Sequence, residues 1–256
     1  MKNLIIILMS VCSLFWLPPQ VLAEETSALN IMEKVFYRDD GLDSYSKVEM
    51  LLVDKKNNTR GRILEIYAKD YSSLIKTFLE FTEPADIKGT KFLSIEEEKA
   101  DNTQYLYLPA LGRSRRIVSS QKNLAFVNTD FTYEDMQRRR PEKDTHRIIA
   151  DEALNSRNCV VVESVSNDNT SQYSKRISWV DKESDVVVKI EFYDKKGKKI
   201  KEFRVNGLEK KDGIWTVTDM VMDNEKDVHK TYMKLLEVRY NQGLGDDIFT
   251  SYSLEK

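Results

Sequence analysis

The chain has 256 residues, with 40 basic and 42 acidic side chains that give a formal net charge of −2. This near-neutral balance excludes the strongly basic surface that is typical of nucleic-acid binding proteins. One of the two cysteines, Cys12, lies in an N-terminal apolar run, so a chain that loses this run keeps only Cys159 and cannot form an intrachain disulfide.

The first 23 residues have the pattern of a cleavable secretory signal peptide. Lys2 gives a short positive region, residues 4–17 form an apolar run, and Val21-Leu22-Ala23 offers a small-residue cleavage site. A membrane-spanning helix needs about 20 apolar residues, whereas this run is shorter and ends at Pro18-Pro19. We therefore expect export and cleavage after Ala23, with residues 24–256 forming a single domain.

A helix is predicted over residues 24–40. Thr26 or Ser27 can cap its N-terminus, and Gly41 follows its C-terminus. The apolar residues that recur at helical spacing are Leu29, Met32, Val35 and Phe36.

From residue 41 to about residue 120, polar and apolar side chains alternate with a period of two, which predicts β-strands. Residues 55–58 and Lys69-Asp70 are predicted turns between them. Several strands are apolar on both faces, which a sheet exposed on one side would not be. Either a sandwich or a helix-covered sheet explains this, or a curved sheet whose inner face lines a cavity. The candidate cavity residues are Val48, Met50, Leu52, Leu64, Ile66, Ile75, Leu79, Phe81, Leu106 and Leu108.

Residues 129–144 interrupt the strand pattern and are predicted to form a short helix or a structured loop. Strand alternation then resumes over residues 147–150, 159–165, 175–180, 186–193, 199–205, 215–222 and 231–238. Residues 246–249 resemble a last helical turn that packs Phe249. The whole chain is predicted to contain about ten or eleven strands, which are mostly adjacent in sequence and therefore antiparallel.

The sequence contains few candidate catalytic residues. His146 and His229 are the only histidines, and they lie in different strand regions without Cys or His neighbours at zinc-ligand spacing. Cys159 lies in an apolar strand, where a buried, inert thiol is expected. Nucleophile-elbow and phosphate-loop motifs are absent from the sequence. We therefore predict that the protein is not an enzyme and needs neither a metal nor another cofactor.

Two arginine tracts are candidates for binding anionic groups. Arg113, Arg115 and Arg116 follow an apolar-aromatic segment, and residues 138–140 form a run of three arginines. Guanidinium groups suit phosphate and carboxylate recognition, so either tract can be a headgroup site or a docking site. The alternative is a solvated loop whose arginines pair with neighbouring acids. For residues 138–140 we favour this alternative, with Glu134, Asp135 and Glu142 as the partners.

Four ordered motifs make the chain resemble the outer-membrane lipoprotein-sorting protein family, which is similar to the LolA carrier. They are FTEPADIKGT (residues 81–90), YLYLPAL (105–111), RRI (115–117) and DFTYEDM (130–136). The resemblance implies an α+β, mostly antiparallel fold, in which short helices cover the concave face of a curved, unclosed half-barrel sheet. Pro84 and Gly89 would then be turn residues between strands.

The resemblance also implies a function, which is to carry the acyl chains of a lipid or lipoprotein through the periplasm as a monomer. An inner-membrane transporter and an outer-membrane acceptor would be the partners. The first arginine tract would then dock a partner or a headgroup, and Phe131, Tyr133 and Met136 would belong to a lid. The family carrier pairs a sheet arginine with its covering helix, and whether Arg60, Arg62 or another residue corresponds to it stays open. A cargo-free sensor or adaptor is the main alternative, and a hydrolase is the third.

Overall fold

The computed structural model describes residues 27–72 and 74–256. The predicted signal peptide and the first residues of the predicted helix lie outside these ranges. The helix that is described, α1 (Ala28–Phe36), begins at the N-cap Ser27, whose hydroxyl accepts a hydrogen bond from the backbone N–H of Asn30 at 3.1 Å. It ends before the predicted residue 40, because Asp39 binds the backbone N–H of Gly41 in a turn that competes with the helix. Among the described residues, no helix is long and apolar enough to span a bilayer.

In the described residues, thirteen antiparallel strands form one curved, open sheet. In chain order they are β1 (Asp43–Val53), β2 (Thr59–Asp70), β3 (Ile75–Glu83), β4 (Lys91–Ile95), β5 (Thr103–Leu108), β6 (Arg113–Ile117), β7 (Asp144–Leu154), β8 (Arg157–Ser166), β9 (Tyr173–Asp181), β10 (Val187–Asp194), β11 (Lys199–Lys211), β12 (Ile214–Asn224) and β13 (His229–Tyr240). The α+β half-barrel prediction is confirmed.

The count of ten or eleven strands was too low, because β4, β5 and β6 contain only five or six residues each and show few alternations. The turn predicted at residues 55–58 is confirmed, but Lys69-Asp70 belongs to β2 and the chain turns immediately after it. Gly89 adopts a positive φ of 77°, as a permissive turn residue should.

The strand order explains why the sheet is open. It runs β6-β5-β4-β3-β2-β1-β13-β12-β11-β10-β9-β8-β7, so β6 and β7 are the two edges. Residues 118–143, here called the cover segment, connect these edges and must therefore cross the opening between them. The segment contains short 3-10 helices and one isolated bridge between Ala125 and Thr132, and one of these helices, Pro141–Lys143, lies within the predicted range 129–144. This range is therefore a structured loop with one short 3-10 helix.

Strand β3 is apolar on both faces, and both of its faces are buried. In β3, Leu79 and Phe81 face the cluster beneath the cover segment, whereas Phe78 faces a second cluster on the other side of the sheet. C-terminal 3-10 helices at Asp246–Phe249 and Ser251–Glu255 close that second cluster with Phe249 and Leu254. The last helical turn predicted from the sequence is therefore confirmed.

Helix α1 packs on the face of the sheet formed by β8 and β9. Its residues Ala28 and Ile31 contact a cluster that contains Val160, Val162 and Val180. The neighbouring residues of β8, Cys159 and Val161, point to the opposite face. Burial raises the pKa of the Cys159 thiol, which agrees with the expected inert side chain.

Candidate functional site

Aromatic side chains of the cover segment fill the concave face over β1 to β5. The Phe126 ring lies 5.0 Å from Phe92 and 5.8 Å from Tyr133, centroid to centroid. Phe126 is 1% exposed, and Phe131 and Tyr133 are also buried in the same cluster. Met136 packs against it. All three lid candidates from the sequence therefore contact the concave core.

Nine of the ten candidate cavity residues lie in this one cluster, and Ile75 is the exception. Seven are buried and two, Ile66 and Leu108, are partly buried against it. In the structure they pack against the cover segment instead of lining open space. Their role in binding lipid stays a prediction, and it requires the cover segment to move.

Three carboxylates of the DFTYEDM motif fix the cover segment to the sheet. Asp130 binds His229 at 2.6 Å and Thr231 at 2.7 Å, both on β13. Glu134 accepts hydrogen bonds from Ser171 and from Arg176 of β9. The motif therefore combines aromatic residues that enter the core with acids that bind polar groups of the sheet.

The third carboxylate, Asp135, forms a buried ion pair with the sheet. It lies 2.5 Å from the Lys201 ammonium, and the two side chains are 4% and 5% exposed. The Tyr173 hydroxyl also donates to Asp135, at 3.0 Å. Burial alone would raise the pKa of Asp135, but the charge of Lys201 and hydrogen bonds from Lys201 and Thr132 hold it below its usual range. Burial and the Asp135 charge raise the pKa of Tyr173 well above its usual range, so Tyr173 stays a neutral donor.

Arg62 of β2 provides a further contact between sheet and cover segment. Its guanidinium donates to the backbone carbonyl of Val127 at 2.7 Å and lies 5.7 Å from the centre of the Phe81 ring. Burial lowers the pKa of Arg62. Of the two arginines that the resemblance left open, Arg62 is buried and contacts the cover segment, whereas Arg60 is exposed.

An open cavity of about 320 Å³ lies over the other half of the sheet, between α1, the cover segment and strands β7 to β12. None of the ten candidate cavity residues lines it, and Phe131 is the one lid candidate that does. Its apolar wall consists of Met32, Val35 and Phe36 from α1, and Val187, Ile190, Phe192, Phe203 and Met222 from the sheet. On β10, Ile190 and Phe192 alternate with the charged residues Lys189 and Glu191. This alternation was the sequence signal that could have predicted the apolar wall.

Arginines 138–140 line the polar side of this cavity. Their side chains are 27%, 20% and 14% exposed, so the loop is half-buried and not solvated, although two of the predicted acids lie near the arginines, Glu134 at 3.8 Å from Arg139 and Glu142 at 3.9 Å from Arg140. Arg139 instead makes a bidentate contact with Asp144, at 2.6 and 2.7 Å. The loop is half-buried because α1 covers it, with Phe36 stacked against Arg138 at 3.9 Å.

The first arginine tract lies elsewhere, on the edge strand β6. Arg113, Arg115 and Arg116 are all exposed, and none of them lines the cavity. Arg116 donates to Thr103. Burial raises the pKa of Tyr133, and the charge and hydrogen bond of Arg115 partly offset this. Charged side chains on an edge strand also protect it from pairing with other chains.

His146 and Ser164 form a pair in the cavity wall that resembles a nucleophile and its base. The imidazole Nε2 lies 2.7 Å from the Pro141 carbonyl and donates to it, and in the neutral imidazole Nδ1 then accepts from the Ser164 hydroxyl at 2.8 Å. Ser164, however, is 3% exposed and lies in the middle of β8, which pairs with both β7 and β9. The backbone N–H groups around Ser164 serve the sheet and do not form an oxyanion hole. His229 lies on β13 and lines a different, polar cavity.

Comparisons with known proteins agree with this architecture. A family model described as an uncharacterized protein matches residues 73–256. No curated protein matches the chain. The chain is 30% identical to an outer membrane lipoprotein-sorting protein domain from Vibrio parahaemolyticus, with a TM-score of 0.85 over 90% of this chain and 98% of that chain.

Two further solved structures are similar. A DUF1329 family protein from Desulfovibrio piger is 27% identical, with a TM-score of 0.84 over 89% of this chain and 97% of that chain. A LolA superfamily protein from Nitrosomonas europaea is 19% identical, with a TM-score of 0.67 over 88% and 97%, and shows the shared fold. The chain therefore belongs to the outer membrane lipoprotein-sorting protein family and has the LolA-like fold.

Proposed function

We propose that the protein is a non-enzymatic periplasmic carrier, which binds the acyl chains of a lipid or lipoprotein on its concave face and moves them toward the outer membrane. The observation that carries this proposal is the cavity of about 320 Å³ with an apolar wall beneath a segment that bridges the open edges of the sheet. The family membership and the signal-like sequence of residues 1–23 support export to the periplasm.

The energetics favour a shielded site. Each exposed methylene costs about 0.8 kcal/mol in water, so a 16-carbon chain costs on the order of 12 kcal/mol. A cavity of 320 Å³ is at the small end of the range for ligand pockets. We therefore infer that a long chain enters this cavity first and then displaces the aromatic residues of the cover segment. The nine predicted residues beneath that segment would then contact the cargo.

Filling the cavity tests the proposal without burying a charge. Ile190 is half-buried in the cavity wall, between Ser178 and Phe203 on the neighbouring strands. We expect Ile190→Trp to occupy the space that an acyl chain needs and to reduce copurified lipid about tenfold. The measurement is mass analysis of organic extracts from protein purified from a bacterial periplasm.

Leu51→Trp is the matched control, because Leu51 is 37% exposed on the face of β1 opposite the buried Met50. This variant should retain the wild-type amount of lipid. Wild-type protein without any acyl lipid would contradict the proposal and would favour the cargo-free adaptor. Equal loading of both variants would place the acyl chains outside this cavity.

Arg62→Gln is expected to loosen the cover segment. A hydrogen bond from a charged group contributes about 1.5–3 kcal/mol, so its loss should speed amide hydrogen exchange in residues 126–133 by about tenfold or more. Arg60→Gln removes an exposed arginine from the same strand and should leave exchange unchanged. Unchanged exchange in both variants would show that Arg62 does not hold the segment.

A further inference from the structure

The charges around the open cavity do not balance. Each carboxylate in its wall has a cation of its own within 2.9 Å. The pairs are Asp101 with Lys143, Glu134 with Arg176, Asp135 with Lys201, Asp144 with Arg139, and Asp168 with Lys122. Arg138 and Arg140 also line the cavity, and no acid among the described residues lies as close to either of them.

The nearest acids to these two arginines are too far away for good hydrogen bonds. Arg138 lies 3.6 Å from Glu96, and Arg140 lies 3.9 Å from Glu142, which is itself 64% exposed. Burial raises the pKa of Glu96, although the Ile75 N–H and the charges of Arg138 and Arg140 oppose this shift. The buried Nε of Arg138 has no hydrogen-bond partner among the described residues, whereas its Nη2 donates to the Phe36 carbonyl at 2.9 Å. Both guanidinium groups stack on Phe36, at 3.9 and 5.3 Å.

A third guanidinium in the cavity wall also has a free donor. Arg176 is 9% exposed, and its Nη2 binds Glu134 at 2.8 Å, whereas its buried Nη1 has no hydrogen-bond partner within the described part of the chain. One oxygen of Glu134, Oε2, is likewise unpartnered. A buried donor without an acceptor costs about 1–3 kcal/mol, so a ligand oxygen that filled this role would be bound favourably.

These donors border the apolar wall of the same cavity. Phe192 lies directly opposite Arg176 across β9 and β10, and Phe36, on which Arg138 and Arg140 stack, lines the cavity together with Val35 and Met32 of α1. A molecule that fits both surfaces has an acyl chain joined to an oxyanion. Guanidinium groups bind phosphate and carboxylate in preference to neutral esters and amides.

We propose that the cavity selects acyl lipids that carry an anionic headgroup, a phosphate or a carboxylate, and that Arg138, Arg140 and Arg176 bind this group. The inference rests on the proposed carrier function and specifies its cargo. The acyl esters and amides of a lipoprotein anchor carry no such charge and would leave these donors unsatisfied.

The test compares ligands that share one chain and differ in the head. Binding of hexadecanoate, hexadecyl phosphate and methyl hexadecanoate to delipidated protein is measured by competition with a fluorescent fatty acid, below the concentrations at which the lipids aggregate. We expect at least one anionic ligand to bind about tenfold or more tightly than the ester. A preference between the two anions distinguishes the phosphate from the carboxylate.

The double variant Arg138→Gln/Arg140→Gln should bring the anions and the ester to within about threefold of one another while the ester still binds. Arg147→Gln is the matched control, because Arg147 lies on β7 with a side chain that is 71% exposed and does not line the cavity. Equal binding of anions and ester by the wild type, or an unchanged preference in the double variant, would overturn the headgroup assignment and leave the carrier function standing. Failure of all three ligands to bind would overturn both.

Discussion

Asp135→Asn is expected to destabilise the folded protein by about 3–5 kcal/mol, because it removes one partner of a buried ion pair. Lys201 would remain 5% exposed, with its ammonium facing a neutral amide. The Tyr173 hydroxyl would lose an anionic acceptor at the same time. The effect should appear as a lower urea midpoint in equilibrium unfolding followed by tryptophan fluorescence.

Asp151→Asn is the control for this change. Asp151 pairs with Lys182 at 2.9 Å, but the two side chains are 66% and 49% exposed. Exposed pairs contribute about 0–1 kcal/mol, so this variant should unfold close to the wild type. A similar loss in both variants would show that burial of the Asp135 pair does not set its contribution.

The Asp135 pair also predicts a pH dependence. The folded protein holds the pKa of Asp135 below the ordinary value of 3.8, so the unfolded chain binds the proton more readily. The stabilisation is therefore complete above this ordinary value and is lost as the pH falls toward the lowered pKa. Asp135→Asn should flatten the acid side of the stability profile below pH 3.8, relative to the wild type.

The period-two pattern predicted the concave face of β1 to β5 well, since Val48, Met50 and Leu52 recur at every second position of β1 and are all buried. The pattern could not predict which side chains of the cover segment fill this face. Phe126 lies outside the DFTYEDM motif, in a stretch without periodicity, and only the connection between the two edge strands brings it into the core.

The open cavity could not be predicted for a related reason. Its wall joins Val35 of α1 to Ile190 and Phe203, which lie more than 150 residues later in the chain. Each side chain fits an ordinary amphipathic helix or strand when its own segment is considered. The sequence analysis placed arginines 138–140 in a solvated loop, because acids close to them in the sequence can serve as their partners. In the structure, the acid that binds Arg139 most closely is Asp144, the first residue of the edge strand β7.

The sequence analysis assigned residues of the DFTYEDM motif to a lid, but it did not show how this lid is held on the sheet. Asp130, Glu134 and Asp135 lie within six residues, yet they bind strands β13, β9 and β11 respectively. A local pattern cannot show that one short segment reaches three distant strands. In the structure, this spread is what makes the cover segment a bridge across the half-barrel.

Phe126→Ala is expected to have the second large effect, a loss of about 3–5 kcal/mol of stability, because a fully buried aromatic side chain is replaced by a cavity. Phe126 is 1% exposed and contacts the rings of Phe81, Phe92 and Tyr133. If acyl chains displace this side chain when they bind, its removal should lower the cost of opening the cover segment. Release of a fluorescent fatty acid, followed by stopped-flow fluorescence, should then be about tenfold faster or more.

Phe78→Ala separates this effect on release from the general loss of stability. Phe78 is 6% exposed on the opposite face of the sheet, in the cluster closed by Phe249 and Leu254. Both variants should therefore unfold at lower urea concentrations, because both leave a cavity in a packed cluster. Only Phe126→Ala should change the release rate, since Phe78 has no contact with the concave face. Equal acceleration in both variants would mean that cargo leaves by global loosening of the fold, and the cover segment would then have no specific role in release.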